Sequence, residues 1–215
     1  MAFWAVCGVG VVIAYLLGSM PSGYLAGKLL RGIDIREHGS KSTGATNVLR
    51  VLGKWPALIV LLVDIGKGAA AIVLAQWLCR WLLTPSASFD LQNLEPWVVF
   101  MAGLAVLLGH GRSIWLNFTG GKSAATGLGV LLAMSPFVGL GAGLVFGVVL
   151  AISRIVSLSS ILAAMAAIVL VLSIEQPLPY RLLVVAGGIY VIARHTANVQ
   201  RLLAGTEPRL GHKPS

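Results

Sequence analysis

The first polar stretch of the chain, Arg31 to Lys54, contains the residue types that bind phosphate. It is dense in glycines and small hydroxyl side chains, and Lys41 and Arg50 add positive charge. Glycine lets backbone amides approach an anion closely, and successive amides in a turn form an anion-binding concavity. Asn47 lies three residues before Arg50 where an apolar helix begins, which indicates a helix terminus that presents donors. We therefore predict an anion site here, although a solvated connector has a similar composition.

A second polar stretch, His110 to Lys122, leads into Gly120-Gly121-Lys122-Ser123, which resembles the end of a P-loop. A P-loop needs a further glycine five residues before Gly121, and that position is Leu116. The stretch is therefore not a nucleotide-hydrolysing loop. A Gly-Gly-Lys turn that opens onto a helix N-terminus still has the geometry that binds phosphate, and a flexible basic connector is the alternative.

A third cluster follows the last apolar run. If that run continues as a helix, His195, Asn198 and Arg201 lie near one face, because they are three residues apart. A lone histidine at a membrane interface is usually just amphipathic, whereas a histidine that shares a face with an amide and a guanidinium indicates a site.

One ionisable pair lies inside an apolar run. Asp64 and Lys67 are three residues apart, so on a helix they are partners. Ionisable groups within a membrane span are costly and often functional. The pattern fits a functional pair or a neutralised structural pair equally well.

The composition shows what surrounds these clusters. Charged residues make up 11% of the 215 residues, hydrophobic residues 57%, and the mean hydropathy is +0.90. A soluble domain carries about 25% charged residues, so we predict an all-α integral membrane protein, with residues 1–215 as a single membrane domain. The net charge of +9 fits cytoplasmic loops and a site for anionic substrates better than nucleic-acid binding.

The two cysteines, Cys7 and Cys79, each lie within an apolar run, and the sequence has no Cys-x-x-Cys or Cys/His ligand spacing. A zinc or iron–sulfur site is therefore not expected, and we predict no metal and no cofactor. Cysteines in apolar runs usually just pack, with a disulfide between these two as the alternative.

Apolar runs of about 20 residues are long enough to cross a bilayer. We predict seven spans, the fourth and fifth separated at Ser135-Pro136 because proline disfavours helix in the residue before it. The uncharged Met1–Gly27 segment is too long for the apolar core of a cleaved signal, so it is expected to be retained as the first span. The predicted segments are about Phe3–Leu29, Trp55–Leu78, a run from near Glu95 to Gly109, Ala124–Ser135, Pro136–Ile152, Val156–Ile174 and Tyr180–Arg194.

Charge predicts the orientation of these spans. With seven crossings, thirteen of the sixteen Lys and Arg residues lie on one side, while Arg80 and Arg181 lie on the other. By the positive-inside rule the C-terminus is then cytoplasmic and the N-terminus outside. The spacing Gly139, Gly143, Gly147 and the pair Gly23 and Gly27 further predict close helix packing.

The chain resembles the membrane-integral glycerol-3-phosphate acyltransferases that use acyl phosphate as donor. The resemblance covers nearly the whole chain and combines three ordered motifs. Its residues are Gly18 to Tyr24, Gly32 to Arg36, Gly44 to Arg50, Asp64 to Gly68, Gly109-His110, Gly120 to Lys122, and the series His195, Asn198, Arg201, Gly205 and Glu207.

The resemblance implies transfer of an acyl group from acyl phosphate to glycerol 3-phosphate in a bacterial-type plasma (inner) membrane, with a soluble acyl-phosphate synthase as a candidate partner and no nucleic acid. It places His195, Asn198 and Ser40 among the catalytic residues, with His195 and Asn198 orienting the glycerol hydroxyl and Ser40 also holding phosphate. The substrate-binding residues that it implies are Asn47, Arg50, His110, Gly120, Gly121, Lys122 and Arg201. Either His195 or a substrate phosphate could take the proton.

Other functions predict other patterns. Acyl-CoA-type acyltransferases typically carry His-x4-Asp, and the residues five after His38, His110 and His195 are Thr43, Trp115 and Gln200. A transporter for phosphorylated anions would suit broken spans and the Asp64/Lys67 pair, but the two halves show no internal repeat. A CDP-alcohol phosphotransferase would need several intramembrane aspartates for metal, and Asp64 has no second aspartate near it in its span.

Overall fold

The computed structural model describes residues 2–82 and 93–211. Within these ranges the chain is all-helical with no strand, which confirms the predicted all-α class. Short 3-10 turns lie at Ile35–Glu37 and Ile114–Leu116. The α-helices are α1 Ala2–Ser19, α2 Ser22–Arg31, α3 Ala45–Leu52, α4 Lys54–Leu82, α5 Glu95–Gly111, α6 Ala124–Met134, α7 Pro136–Ser153, α8 Val156–Ser173, α9 Leu178–Ala193 and α10 Thr196–Leu203. Most of the polar segment Pro85–Glu95, between the second and third predicted spans, lies outside the described residues.

Four helical segments in the described ranges are long and apolar enough to cross a membrane: Ala5–Arg31, Lys54–Trp81, Pro136–Ser153 and Val156–Ser173. A fifth is the pair α9 and α10, which bend by 57° relative to each other. The shorter helices α5 and α6 are also apolar. The protein is therefore a multi-pass membrane protein, and each of the seven predicted apolar runs contains a helix.

Prolines break two of the apolar runs. The predicted break at Pro136 is present, with Ser135 in a non-helical conformation (φ −146°, ψ 85°) between α6 and α7. The first run differs from the prediction, because α1 ends at Ser19 and α2 begins at Ser22. Pro21 explains this second break, since proline disfavours helix in the residue before it and has no amide to donate.

Glycines let α4 and α6 pack backbone to backbone. A Cβ atom at Gly68 would lie 2.2 Å from the Thr126 carbonyl oxygen, and one at Gly129 would lie 1.9 Å from that of Ile65. Only glycine fits at such distances, so this contact fixes the start of α6 beside the segment of α4 that carries Asp64. It thereby positions the Gly-Gly-Lys turn, which directly precedes α6.

Helices α6 to α9 surround an apolar cavity. Helix α7 packs on α6 and α8, and α9 packs on α8 and α5. Cys7 and Cys79 are free thiols buried in the same apolar core as α5 and α9 residues. The polar loops that precede α3, α6 and α10 meet at one end of this cavity, which is where the predicted site residues lie.

Candidate active site

A cavity of about 370 Å³ joins the three polar clusters to the apolar interior. Its polar end is formed by side chains from each predicted cluster: Ser40, Asn47, Arg50, His110, Lys122, His195 and Asn198. Its other end is apolar and is formed by residues of α6 to α9, including Leu131, Phe146, Ala167 and Leu183. Such a cavity suits a ligand with an anionic head and an apolar tail.

Asn47 organises the first loop. Its side-chain amide donates to the backbone carbonyls of Ile35 (3.0 Å), His38 (3.0 Å) and Ser42 (2.8 Å), and its Oδ1 accepts from the Ser40 amide (2.7 Å). The side chain is buried in the first turn of α3, and its hydrogen bonds are made to the preceding loop. Asn47 borders the cavity, but its contacts hold Ser40 and Ser42 in place rather than point into open space.

The second loop is clamped on both faces. The Gly121 amide donates to the His110 carbonyl (3.0 Å), and the Arg194 guanidinium donates to the carbonyls of Gly120 (3.3 Å) and Gly121 (3.1 Å). A Cβ atom at Gly121 would lie 2.1 Å from His110 Nε2, so the loop passes directly over the histidine ring. Glycine is required at position 121 by this close approach.

Lys122 extends from this loop toward the third cluster. Its Nζ donates to Asn198 Oδ1. The pKa of Lys122 is lowered to about 8, chiefly by burial and also by Arg201, Arg50 and Arg194, while Glu207 opposes the shift. The ammonium group is thus partly desolvated and surrounded by other cations, so it gains strongly from an incoming phosphate.

Glu207 joins the third cluster into one network. Its Oε1 accepts from Ser157 Oγ (2.8 Å) and Asn198 Nδ2 (2.6 Å), and its Oε2 accepts from Arg201 Nε (2.7 Å). Burial alone would raise the pKa of Glu207, but these three donors outweigh it and hold the pKa below its ordinary value. Glu207 therefore stays ionised and fixes the Asn198 amide toward Lys122.

His195 is buried at the junction of α9 and α10. Its Nδ1 lies 2.8 Å from the Val191 carbonyl oxygen, so Nδ1 carries the proton and Nε2 keeps a free lone pair. Burial lowers the pKa of His195 to about 4; the Val191 carbonyl opposes this shift, and Lys122 adds to it. The imidazole is therefore neutral at pH 7.

The structure thus brings the predicted residues together, with some in different surroundings than expected. Arg201 contacts Glu207 (2.7 Å) and does not line the cavity, while His110 lies under the second loop. The sequence assigned no role to Glu207, although the resemblance includes it in its last motif series. Glu207 belongs to the third cluster by position, but its bond to Ser157 spans 50 residues and leaves no local signal.

Across residues 2–82 and 93–211, no group of three or more His, Cys, Asp and Glu side chains is close enough together to hold a metal ion. The polar end of the cavity is instead dominated by cations, amides and hydroxyls.

These features define a multi-pass membrane protein with a cluster of cations, amides and hydroxyls at the mouth of an apolar cavity. The sequence profile of the family described as Glycerol-3-phosphate acyltransferase matches residues 8–205. The chain belongs to this family.

Individual relatives are also glycerol-3-phosphate acyltransferases. The chain is 74% identical to glycerol-3-phosphate acyltransferase 2 of Rhizobium johnstonii, over 98% of this chain and 99% of the relative. It is 58% identical to the glycerol-3-phosphate acyltransferase of Acaryochloris marina, over 99% and 96% of the two chains. Among solved structures, it superposes with a TM-score of 0.84 on PlsY (YgiH), an integral membrane glycerol 3-phosphate acyltransferase in its glycerol 3-phosphate form, at 36% identity over 95% of this chain and 96% of that one.

Proposed function

We propose that this protein transfers an acyl group from acyl phosphate to glycerol 3-phosphate, giving lysophosphatidic acid and inorganic phosphate in phospholipid biosynthesis. The observation that carries the proposal is the junction of a cationic cluster with an apolar cavity beside the neutral His195. An acyl phosphate combines an anionic head with an apolar tail in one molecule. The family membership and the glycerol 3-phosphate form of the related PlsY structure support the acceptor.

Two phosphates must lie side by side for this reaction. The cations at the polar end of the cavity would balance their negative charge. Lys122 and Arg50 border the cavity, while Arg194 holds the loop that carries Lys122. Hydroxyl groups of Ser40 and Ser42 add neutral donors at the same end. Phosphate is already a good leaving group, so the protein's main contributions are positioning and charge stabilisation.

In the chemical step the hydroxyl oxygen of glycerol 3-phosphate bonds to the acyl carbonyl carbon. The bond from that carbon to the phosphate oxygen breaks, and the phosphate leaves with the electron pair. His195 Nε2 and Asn198 orient the hydroxyl. A pKa of about 4 makes His195 a weak base at pH 7, whereas the departing phosphate gains negative charge, and with it basicity, as its bond to the carbonyl carbon breaks. The departing phosphate therefore takes the proton.

The remaining predicted residues receive supporting roles in this proposal. Asn47 shapes the first loop, and Gly120 and Gly121 allow the second loop to approach both His110 and a phosphate. Arg201 keeps Glu207 ionised, and Glu207 in turn orients Asn198. Ser40 supplies a hydroxyl next to the reacting phosphate.

The proposal includes the arrangement in the cell. Seven crossings with the N-terminus outside would put the polar end of the cavity in the cytoplasm of a bacterial-type cell, at its inner membrane. Glycerol 3-phosphate would then enter from the cytoplasm, and a soluble acyl-phosphate synthase would deliver the donor to the same face. The cationic end of the cavity supports this orientation through the positive-inside rule.

The test is an assay of purified protein with glycerol 3-phosphate and either acyl phosphate or acyl-CoA. We expect lysophosphatidic acid and one phosphate per turnover from acyl phosphate, no product from acyl-CoA, and unchanged turnover in chelator. Comparable turnover with acyl-CoA, or loss of activity in chelator, would refute the assignment. Uptake of glycerol 3-phosphate into vesicles without acylation would instead indicate a transporter.

A further inference from the structure

A buried charge network lies directly behind the Gly-Gly-Lys loop. Asp64 and Lys67 of α4 are almost inaccessible, with 1% and 5% of their surfaces exposed. Lys67 Nζ lies 2.9 Å from Asp64 Oδ1 and donates to the Met20 carbonyl (3.0 Å). Ser22 Oγ, at the start of α2, donates to the same carboxylate oxygen (2.7 Å). The pair therefore connects α4 to the break between α1 and α2.

His110 links this network to the loop. Its Nδ1 faces Asp64 Oδ1 at 3.6 Å, and the opposite ring nitrogen, Nε2, lies against Gly121. The His110 carbonyl also accepts from the Gly121 amide (3.0 Å). The imidazole is thus held between a carboxylate on one side and the phosphate-binding loop on the other. This 3.6 Å separation is too long for a hydrogen bond, so the carboxylate acts on the ring electrostatically and favours a proton on Nδ1.

The geometry indicates more than structural charge compensation. Two buried charges that only neutralise each other can be replaced by apolar side chains of similar volume without loss of stability. Here, however, Asp64 Oδ1 faces groups from three helices, Ser22 of α2, Lys67 of α4 and His110 of α5. His110 in turn contacts Gly121 through its ring and its carbonyl oxygen, and Gly121 directly precedes Lys122.

We propose that Asp64 is a positioning residue that acts through His110 to hold the Gly-Gly-Lys loop, and with it Lys122, in the geometry that binds phosphate. Lys67 and Ser22 hold the carboxylate in place. This inference rests on the proposed function, because its kinetic readout is acyl transfer. His110 is then a support of the loop rather than a direct substrate ligand.

The experiment compares two double variants that both remove the charge pair. Asp64→Leu/Lys67→Met leaves no acceptor for His110, whereas Asp64→Asn/Lys67→Met keeps an oxygen in the same place. We expect parental melting temperatures for both. We expect kcat/KM to fall about tenfold or more in the leucine variant, because small misplacements of a binding group are that costly, and by clearly less in the asparagine variant. Arg80→Met/Glu95→Gln, which removes an ion pair elsewhere, is the matched control and should keep the parental kcat/KM.

The outcomes separate positioning from structure. A folded leucine variant within tenfold of the parent would overturn the proposal, and so would equal losses in both double variants. If the leucine variant does not fold, the asparagine variant decides alone, and a loss beyond tenfold there overturns the proposal.

A second readout needs no substrate. In protein with ¹⁵N-labelled histidine, we expect the His110 signal, assigned with His110→Gln, to show the proton on Nδ1. A proton on Nε2 alone would contradict the inference even if the parent is an active acyltransferase. An inactive parent with the expected His110 signal would count against the proposed function and not against this network.

Discussion

The surroundings of Lys122 disfavour the protonated form of its ammonium group. Burial and three nearby arginines lower the pKa of its ammonium group to about 8, and kcat/KM reports the ionisation of the free enzyme. We expect kcat/KM to decline as pH rises through about 8, because the neutral amine cannot balance phosphate charge. Lys122→Arg should move this decline to higher pH, because a guanidinium stays protonated.

Lys122→Ala is the control for this prediction. It should lower kcat/KM by about a hundredfold, as expected when a charge-stabilising donor is lost, and should leave the melting temperature within a few degrees of the parent. A flat pH profile for the parent up to pH 9.5, or an alanine variant within a few-fold of it, would show that the ammonium group does not contact the reacting phosphates.

At the residue scale the sequence predicted cavity-lining groups better than the groups that support them. His195, Asn198 and Lys122 were found because polar donors concentrated in short loops stand out against an otherwise hydrophobic sequence. Glu207 was given no role because a carboxylate among cations predicted to bind phosphate looks unfavourable until its three donors are seen. The dual contacts of Asn47 and His110 depend on chain folding and have no local pattern.

At the scale of elements, four helices determine how deep the cavity is. Ser157 and Ala167 both line it, ten residues apart on α8, which corresponds to about 15 Å. This is half of the roughly 30 Å hydrocarbon core, the depth of one lipid leaflet. One turn beyond Ala167, Val171 is buried in the same apolar cluster as Met134 and Val138, and none of the three is among the lining residues, so we place the floor of the cavity at this level.

This floor predicts the acyl-chain preference. Ala167→Phe should fill the deep end and shift kcat/KM toward shorter acyl phosphates, because a long tail would no longer fit. The measurement is kcat/KM over a series of acyl phosphates of increasing chain length. Val169→Phe, on the lipid-facing side of the same helix with 62% of its surface exposed, is the control and should keep the parental profile. An unchanged profile in the Ala167 variant would mean that the tail lies elsewhere.

The elements show where sequence patterns succeed and fail. Pro136 was read correctly as a break because the run around it was too long for one span. Pro21 was not, because the first run, about Phe3–Leu29, was predicted as one uninterrupted span. Of the predicted glycine series, Gly139 packs closely on α6, while a Cβ atom at Gly147 would meet nothing within 4 Å. Small-residue spacing shows where close approach is possible, but the neighbouring helix determines whether it occurs.

At the scale of the whole molecule, the composition was sufficient to predict an all-helical membrane protein, because so few polar residues cannot coat a soluble fold. The convergence of three loops at one cavity mouth could be anticipated from charge sidedness. The close α4–α6 contact could not, since Gly68 and Gly129 stand in no shared motif. That contact is what brings the second loop over His110.

The last prediction concerns how the molecule crosses the membrane. Trp55 and Trp81 lie at opposite ends of α4, both largely exposed, and the helix between them spans about 39 Å. That is close to the separation of the two interfaces where tryptophans are enriched, so α4 fits one full crossing.

With seven crossings, single cysteines introduced at Ser42, Thr119 and Thr206 should react only with reagents that reach the cytoplasm, and one at Glu175 only with external reagents. Native Cys7 and Cys79 would first be replaced by alanine, and cytoplasmic labelling after permeabilisation controls for accessibility. Ser42 lines the cavity mouth, and Thr206 directly precedes Glu207, which also lines it. Labelling of these two positions from opposite sides would therefore contradict both the seven-span topology and the shared site.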